Sequence, residues 1–184
     1  MLYTRKGDAG TTKDFKSASG ERKSKSSCQT ESLGALDEIN SFLGLVKVKS
    51  VDVAWTVNAE SPSYIIHGIQ NCLFLVQAEV AGADKKMSQD KVTEMEVMID
   101  SMEKDMPLIK TFFISGGTEL AALFDISRTL VRTAERRLIA AITAGEITLA
   151  PATLAFMNRL SSLMYALARY SNHKASIVEQ PPSY

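Results

Sequence analysis

The chain is short of the residues that usually carry metal and acid–base chemistry. Its only histidines are His67 and His173, and its only cysteines are Cys28 and Cys72. The cysteines stand far apart in no ligand-like spacing. They imply no disulfide framework and read as free thiols of a reducing compartment. A helical di-iron site needs Glu-x-x-His on two helices. Here the residues three before the histidines are Tyr64 and Tyr170, so that motif is absent. A histidine-based triad has no support either, and each histidine reads as structural or exposed. An excess of one charge is missing too: Lys plus Arg and Asp plus Glu are 21 each. That argues against a dedicated nucleic-acid binder, though it leaves room for a local basic pocket. No run approaches the roughly 18 apolar residues that span a bilayer. The start, MLYTRKGDAG, holds no apolar leader segment. The expectation is a soluble, cytoplasmic protein that meets neither membrane nor nucleic acid.

What the chain does have is helical periodicity. With 184 residues, 45% of them hydrophobic, it is the right size for one domain with a sizeable core. A first helix is predicted from about Glu31 to Lys49, with Leu36, Ile39, Leu43 and Val46 on one face. A second runs from about Ser63 to Ala83 through Ile66, Ile69, Leu73, Val76 and Val80. Ser88 is the expected N-cap of a third, which ends before Pro107. Residues 110–118, KTFFISGGT, lack a partner strand and read as an ordered loop. A fourth helix starts near Thr118 and ends at Gly145, a residue suited to the C′ position. Pro151 opens a fifth, to about His173, followed by an irregular tail. Residues 13–29 form a polar Lys/Ser-rich segment, expected to be mobile without a ligand. Five helices with short connections predict an all-α, up-and-down bundle.

Two polar constellations stand out. The first is TRKGDAGTT, comprising Thr4, Arg5, Lys6, Gly7, Asp8, Ala9, Gly10, Thr11 and Thr12. Glycines let backbone N–H groups approach an anion closely. Arg5 and Lys6 add charge, and Thr11 and Thr12 can donate to phosphate oxygens or face Mg²⁺. This chemistry suits a triphosphate without matching the P-loop spacing. A flexible polar arm is the competing reading. The second is RTLVRTAERR, in which Arg128, Arg132 and Arg136 recur every four residues along one face. Glu135 is placed to hold the Arg132 guanidinium. The competing reading is a solvated face with Glu135 and Asp125 as counter-charges. Arg at every rung favours bidentate recognition of phosphate or carboxylate. In the fifth helix Asn158 and Ser161 share a face with Tyr165, where an amide reads an adenine or ribose edge or satisfies a core neighbour. Asp37 and Glu38, adjacent on the first helix, point apart and make no acid–base pair. Asp37 reads as an ion-pair partner.

Taken together, TRKGDAGTT, LGALDEINSFLG and SGGT…SRTLVRTAERR…NRLSSLMYALAR resemble the PduO-type ATP:cob(I)alamin adenosyltransferases, in order and over nearly the whole chain. The resemblance implies a ferritin-like five-helix bundle, a single domain over residues 1–184 with 1–29 as an ATP-binding arm, and a homotrimer with sites between subunits. It implies transfer of the 5′-deoxyadenosyl group of ATP to cob(I)alamin, giving adenosylcobalamin and triphosphate. ATP, Mg²⁺ and cobalamin would be the ligands. A cob(II)alamin reductase and an adenosylcobalamin-dependent enzyme would be further partners. Thr4–Thr12 would wrap the triphosphate, Lys25 would contact phosphate, and Arg132, Glu135, Arg136 and Asn158 would bind the nucleotide. Arg128 would pair with Asp37 of the neighbouring subunit. Phe112 would pack beneath the corrin and displace its lower axial ligand, which eases reduction of Co(II). Without the resemblance, Phe112–Phe113 reads as a core plug.

Cob(I)alamin is itself a strong nucleophile, so this chemistry needs no general base, in keeping with the missing histidine and acid pairs. The chain departs from the family pattern in five places. Ser115 stands for a proline, Thr133 for an arginine and Leu33 for a tyrosine. Gln29 stands near a common arginine, and Ser162 replaces an aspartate. A carrier or sensor that binds ATP or cobalamin without turnover is the alternative, and a purely structural helical oligomer is a third reading. Triphosphate release distinguishes the first from the second, and ATP binding excludes the third.

Overall fold

A computed structural model describes residues 3–13 and 22–183. Five helices form among them: α1 Cys28–Lys49, α2 Pro62–Val80, α3 Gln89–Asp105, α4 Glu119–Thr143 and α5 Pro151–Lys174. Ahead of α1 lies a small antiparallel hairpin of β1 Thr11–Thr12 and β2 Lys23–Ser24, pairing Thr11 with Ser24 and Thr12 with Lys23.

Polar contacts between helix sides give the topology. Arg137 pairs with Glu31 at one end of α4, and Lys49 with Glu119 at the other, so α1 and α4 are antiparallel. Arg169–Asp125 and Asn158–Glu135 make α5 antiparallel to α4. Gln29–Val80 and Gln70–Asn40 do the same for α1 and α2. Glu96–Arg159 and Asp105–Tyr170 rise together, so α3 runs parallel to α5. The helices therefore alternate up and down, as expected. Their apolar faces meet in one core, where Leu36, Ile39, Leu43, Ile66, Leu73, Phe124, Val131, Leu138, Phe156 and Leu160 are almost wholly buried. Apolar side chains at three- and four-residue spacing place each of these faces on the inside.

The helix ends are closed by specific partners. Ser27, Ser61 and Thr118 accept from the N–H groups of Thr30, Tyr64 and Ala121. Helix α5 begins after Ala150, which has no capping oxygen. The buried Glu79 of α2 supplies one, accepting from Ala150 N at 2.7 Å and Thr153 Oγ1 at 2.5 Å. Glu146 likewise accepts from Cys28 N at 3.3 Å and Gln29 N at 2.7 Å in the first turn of α1. Carboxylates at helix N-termini also oppose the positive end of the helix dipole. At the C-termini Gly82 and Gly145 take φ of 93° and 72°, each followed by a residue whose N–H reaches back five positions. These are Schellman closures.

The expected boundaries shift where these caps act. Helix α1 starts at Cys28 rather than Glu31 because Ser27 and Glu146 satisfy its first amides. Helix α2 gains Pro62 and stops at Val80 rather than Ala83, where the Gly82 turn closes it. Ser88 precedes α3 without a side-chain capping bond. The segment 13–29 lies partly outside the described residues, at 14–21. Its remainder carries the second strand and the start of α1, a regular pairing not expected from its composition. Residues 110–118 form the expected loop, docked to the tail by Ile114 N donating to Gln180 O at 2.9 Å.

Removing the Glu79 carboxylate leaves the half-buried Ala150 N–H and the buried Thr153 hydroxyl unpaired at the start of α5. Glu79→Ala is expected to lower stability by about 2 kcal/mol, seen as a lower urea midpoint at unchanged slope. An unchanged midpoint would mean that α5 is closed by something other than Glu79.

Candidate functional site

The N-terminal loop is a compact turn. Asp8 N donates to Arg5 O and Gly10 N to Gly7 O, at 3.3 and 3.1 Å. Gly10 takes φ 74° and Arg5 takes φ 58°, the left-handed region that side chains normally avoid. Such strain in a non-glycine residue is frequent at ligand sites. Lys25 N donates to Gly10 O at 2.9 Å, and the Lys25 side chain lies across Gly7. A Cβ on Gly7 would come within 3.1 Å of Lys25 Nζ and push the ammonium aside. Lys25 and the TRKGDAGTT loop, separate in sequence, thus form one basic unit.

A residue that sequence reading missed holds this unit together. Arg22 donates from Nε to Thr11 Oγ1 at 2.7 Å, and from Nη2 to Lys6 O at 2.6 Å and Thr11 O at 2.8 Å. The arginine lies in a Lys/Ser-rich stretch, and only the strand pairing shows that it faces the loop. Gln29, at a position near a common arginine of the family, is buried. Its amide joins Lys23 Nζ of the hairpin to Val80 O at the end of α2.

The arginine ladder is graded. Arg128 is half-buried, and its Nε is enclosed with no hydrogen-bond partner among the described residues. Arg132 and Arg136 are exposed, and Arg136 Nη2 donates to Thr133 Oγ1 at 3.1 Å. Two expected pairings are corrected here. Glu135 accepts from Asn158 Nδ2 at 3.0 Å, across the α4–α5 seam, where an ion pair with Arg132 was expected. Asp125 is no counter-charge to the ladder, because it is buried against Arg169 Nη2 at 2.6 Å. Tyr165 stacks under Arg169, 5.2 Å from its ring centroid. Burial pushes the Tyr165 hydroxyl up despite the opposing guanidinium charge, so it stays protonated at neutral pH.

Phe112 is 80% exposed, which rules out a core plug. Phe113 turns inward beside Arg169 and Glu179. Asp37 is exposed on α1 and forms no ion pair with Arg128 within this chain among the described residues. Two open clefts flank the hairpin and share Thr12, Thr30 and Gly34. One, of about 450 Å³, brings Thr12 and Lys25 together with Thr133 and Arg137 of α4. The other, of about 770 Å³, holds Asp37 beside Leu33 and Phe74. A third crevice of about 310 Å³, between α2 and α3, contains none of these residues, and its rim Lys91 is paired with Glu94. Among the described residues no group of three His, Cys, Asp or Glu side chains is placed to hold a metal ion. None of the helices is long and apolar enough to cross a membrane.

The molecule is thus an antiparallel five-helix bundle whose basic, glycine-bearing N-terminal loop and hairpin border a cleft shared with α1 and α4. The family model for cobalamin adenosyltransferase matches residues 2–171, and the chain belongs to that family. It is 34% identical to a corrinoid adenosyltransferase of Bacillus subtilis, over 96% of this chain and 89% of that protein. It is also 34% identical to the corrinoid adenosyltransferase PduO of Citrobacter freundii, of which it spans 50%, and 33% identical to that of Salmonella typhimurium, of which it spans 53%. Among solved structures, a variant PduO-type ATP:corrinoid adenosyltransferase of Lactobacillus reuteri complexed with cobalamin and ATP superposes with a TM-score of 0.86. It has 27% identity over 100% of both chains.

If Arg22 holds the loop in shape, Arg22→Ala should weaken ATP binding about tenfold, since a single charge-assisted contact is worth this much. Calorimetry on the folded variant reads it. Unchanged affinity would show that the loop keeps its shape without Arg22.

Proposed function

We propose that this chain transfers the 5′-deoxyadenosyl group of ATP to cob(I)alamin. The Co(I) electron pair forms the bond to C5′, the C5′–O bond breaks, and triphosphate leaves with that bond's electrons. Family membership supports this reaction. The single structural observation in its favour is the open cleft that Thr12 and Lys25 share with Thr133 and Arg137 of α4. Thr4, Arg5, Lys6, Gly7, Asp8, Gly10, Thr11, Thr12 and Lys25 would hold the triphosphate. Arg132, Glu135, Arg136 and Asn158 would bind the nucleoside end, with Glu135 and Asn158 already oriented by each other. Charge neutralisation of the leaving group and alignment of C5′ are then the protein's contribution.

The residues present fit Mg²⁺. That ion keeps several waters and binds through substrate phosphates with one or two protein oxygens, so it needs no cage of side chains. Asp8, Thr11 and Thr12 would face it, and the metal would supply further neutralisation of the triphosphate.

The reading extends to the assembly. Asp37 and Arg128 find no ion-pair partner in each other within one chain, and the enclosed Arg128 Nε lacks an acceptor. A homotrimer in which Asp37 of one subunit meets Arg128 of the next would complete both. The exposed Phe112 would then lie under the corrin as an apolar wedge that displaces the lower ligand. A cytoplasmic location, a cob(II)alamin reductase and an adenosylcobalamin-dependent client complete the proposal, with residues 1–29 as the ATP-binding arm of a single domain.

The reaction is tested anaerobically with chemically reduced cob(I)alamin, Mg²⁺ and ATP, following the cobalt–carbon product by absorbance and triphosphate by chromatography. Product in proportion to enzyme is expected. ATP binding without product would give the lead to the carrier reading. In the same assay Phe112→Ala should slow adenosylation at least about tenfold more when started from Co(II) than from pre-reduced Co(I). Equal losses from the two starting states would remove the ligand-displacing role.

A further inference from the structure

Arg169 heads the largest fully buried side chains, at 2% exposure, and none of the proposed substrate contacts uses it. Its Nη2 lies 2.6 Å from Asp125 Oδ2 on α4, and its Nη1 lies 2.5 Å from Glu179 Oε1 in the C-terminal tail. Both carboxylates lead to the loop that carries Phe112. Asp125 Oδ2 also accepts from Gly116 N at 3.3 Å. Glu179 Oε1 also accepts from Asn172 Nδ2 at 2.7 Å. The same Asn172 amide donates to Gly116 O at 2.8 Å and accepts from Thr118 N at 2.9 Å. Gly117, at φ 99°, sits so close that a Cβ there would lie 2.4 Å from Asn172 Oδ1. Gln180 O accepts from Ile114 N.

These contacts matter because of what Phe112 lacks. At 80% exposure its ring has almost no packing to hold it. The place of such a side chain is set by its backbone, and the backbone is pinned at 114, 116 and 118, all through the Arg169 cluster or the tail. Plain stabilisation explains the cluster poorly. Arg169 Nε and Nη1 have no aligned hydrogen-bond acceptor, and buried ion pairs are weak contributors to stability.

We propose that Arg169 is a positioning residue. Through Asp125 and Glu179 it clamps the tail and the 107–118 loop together, and so holds Phe112 against the corrinoid. This rests on the role given to Phe112 above. The same cluster extends to the intersubunit candidate, since Tyr165, stacked under Arg169, also feels the charge of Arg128.

The test uses the full chain with Glu179→Gln, at the tail end of the clamp, where the fold is least at risk. Hydrogen exchange without substrates should show the amides of Ile114 and Gly116 opening about tenfold faster or more, while the helices keep their protection. KM for cob(I)alamin should rise about tenfold with KM for ATP within about twofold. With ATP and cob(II)alamin bound, the electron-spin-resonance signal of the form lacking its lower ligand should diminish. Arg169→Lys, which keeps the charge, should fall between wild type and Arg169→Met in all three. Unchanged loop exchange would overturn the clamp. Faster exchange with equal changes in both KM values would also overturn it, because the cluster would then serve stability alone. Exchange is read without substrates, so it decides the clamp even if wild type makes no product, and product formation separately decides the reading on which the inference rests.

Discussion

The antiparallel seating of α4 between α1 and α5 determines where everything else can go. Its apolar stripe, Phe124, Val131 and Leu138, must face the core, and its length is held in register by Glu31 and Lys49 on one side and by Arg169 and Asn158 on the other. A four-residue repeat on a helix of 3.6 residues per turn drifts by about 40° at each step. The three arginines therefore cannot all share one environment. Arg128 falls half inside, while Arg132 and Arg136 swing out to solvent. A single periodic motif yields two kinds of arginine, one half-buried and two exposed.

A second constraint is that helix ends must find partners for their free amides and carbonyls. Here two of those partners are carboxylates borrowed from other elements: Glu79 for α5 and Glu146 for α1. Each carboxylate ties an end to the body of the bundle, and the second one places the hairpin, because only three residues lie between the end of β2 and the start of α1. The phosphate-binding candidate is thus located by a cap. Gln29 takes part in the same junction by linking Lys23 to Val80. At this position the chain has an amide that fits between a lysine and a carbonyl, where a second cation would face Lys23.

Periodicity made the five helices legible, since each presents a repeating apolar face, and Gly145 and Pro151 marked their ends. The boundaries of α1 and α2 were less so, because Glu146 acts across 117 positions and the Gly82 closure is a matter of φ. The residues of the loop and the ladder were visible as composition. Their pairings were not: Glu135 turned to Asn158, and Asp125 to Arg169, because side chains across a seam compete with neighbours along the helix. Arg22 and Arg169 escaped notice for the same reason. One looks like a member of a solvated basic segment and the other like the end of an ordinary helix, and only tertiary placement shows what they hold. Phe112 ran the other way. An aromatic pair in an apolar run reads as core, yet one ring is half-buried and the other stands in solvent.

Chemistry that relies on a nucleophilic substrate asks a protein for placement, and placement is what a single copy of this chain divides. Arg128 and Arg137 are nine residues apart, about 14 Å along α4. The hairpin cleft lies at the Arg137 end, while the Phe112 loop leads into the N-terminus of α4 at the other. Asp37 opens onto a cleft of its own on the far side of the hairpin. In the proposed assembly, bringing Asp37 to a neighbour's Arg128 sets one copy's hairpin beside another copy's loop, so a triphosphate held by the first would present its C5′ to a corrin lying on the second. The same arrangement explains why an exposed phenylalanine and an arginine with an enclosed, unpaired Nε are tolerable. In that proposed assembly the Arg128 Nε would meet the carboxylate of a neighbouring copy, and the Phe112 ring would be covered by the corrin.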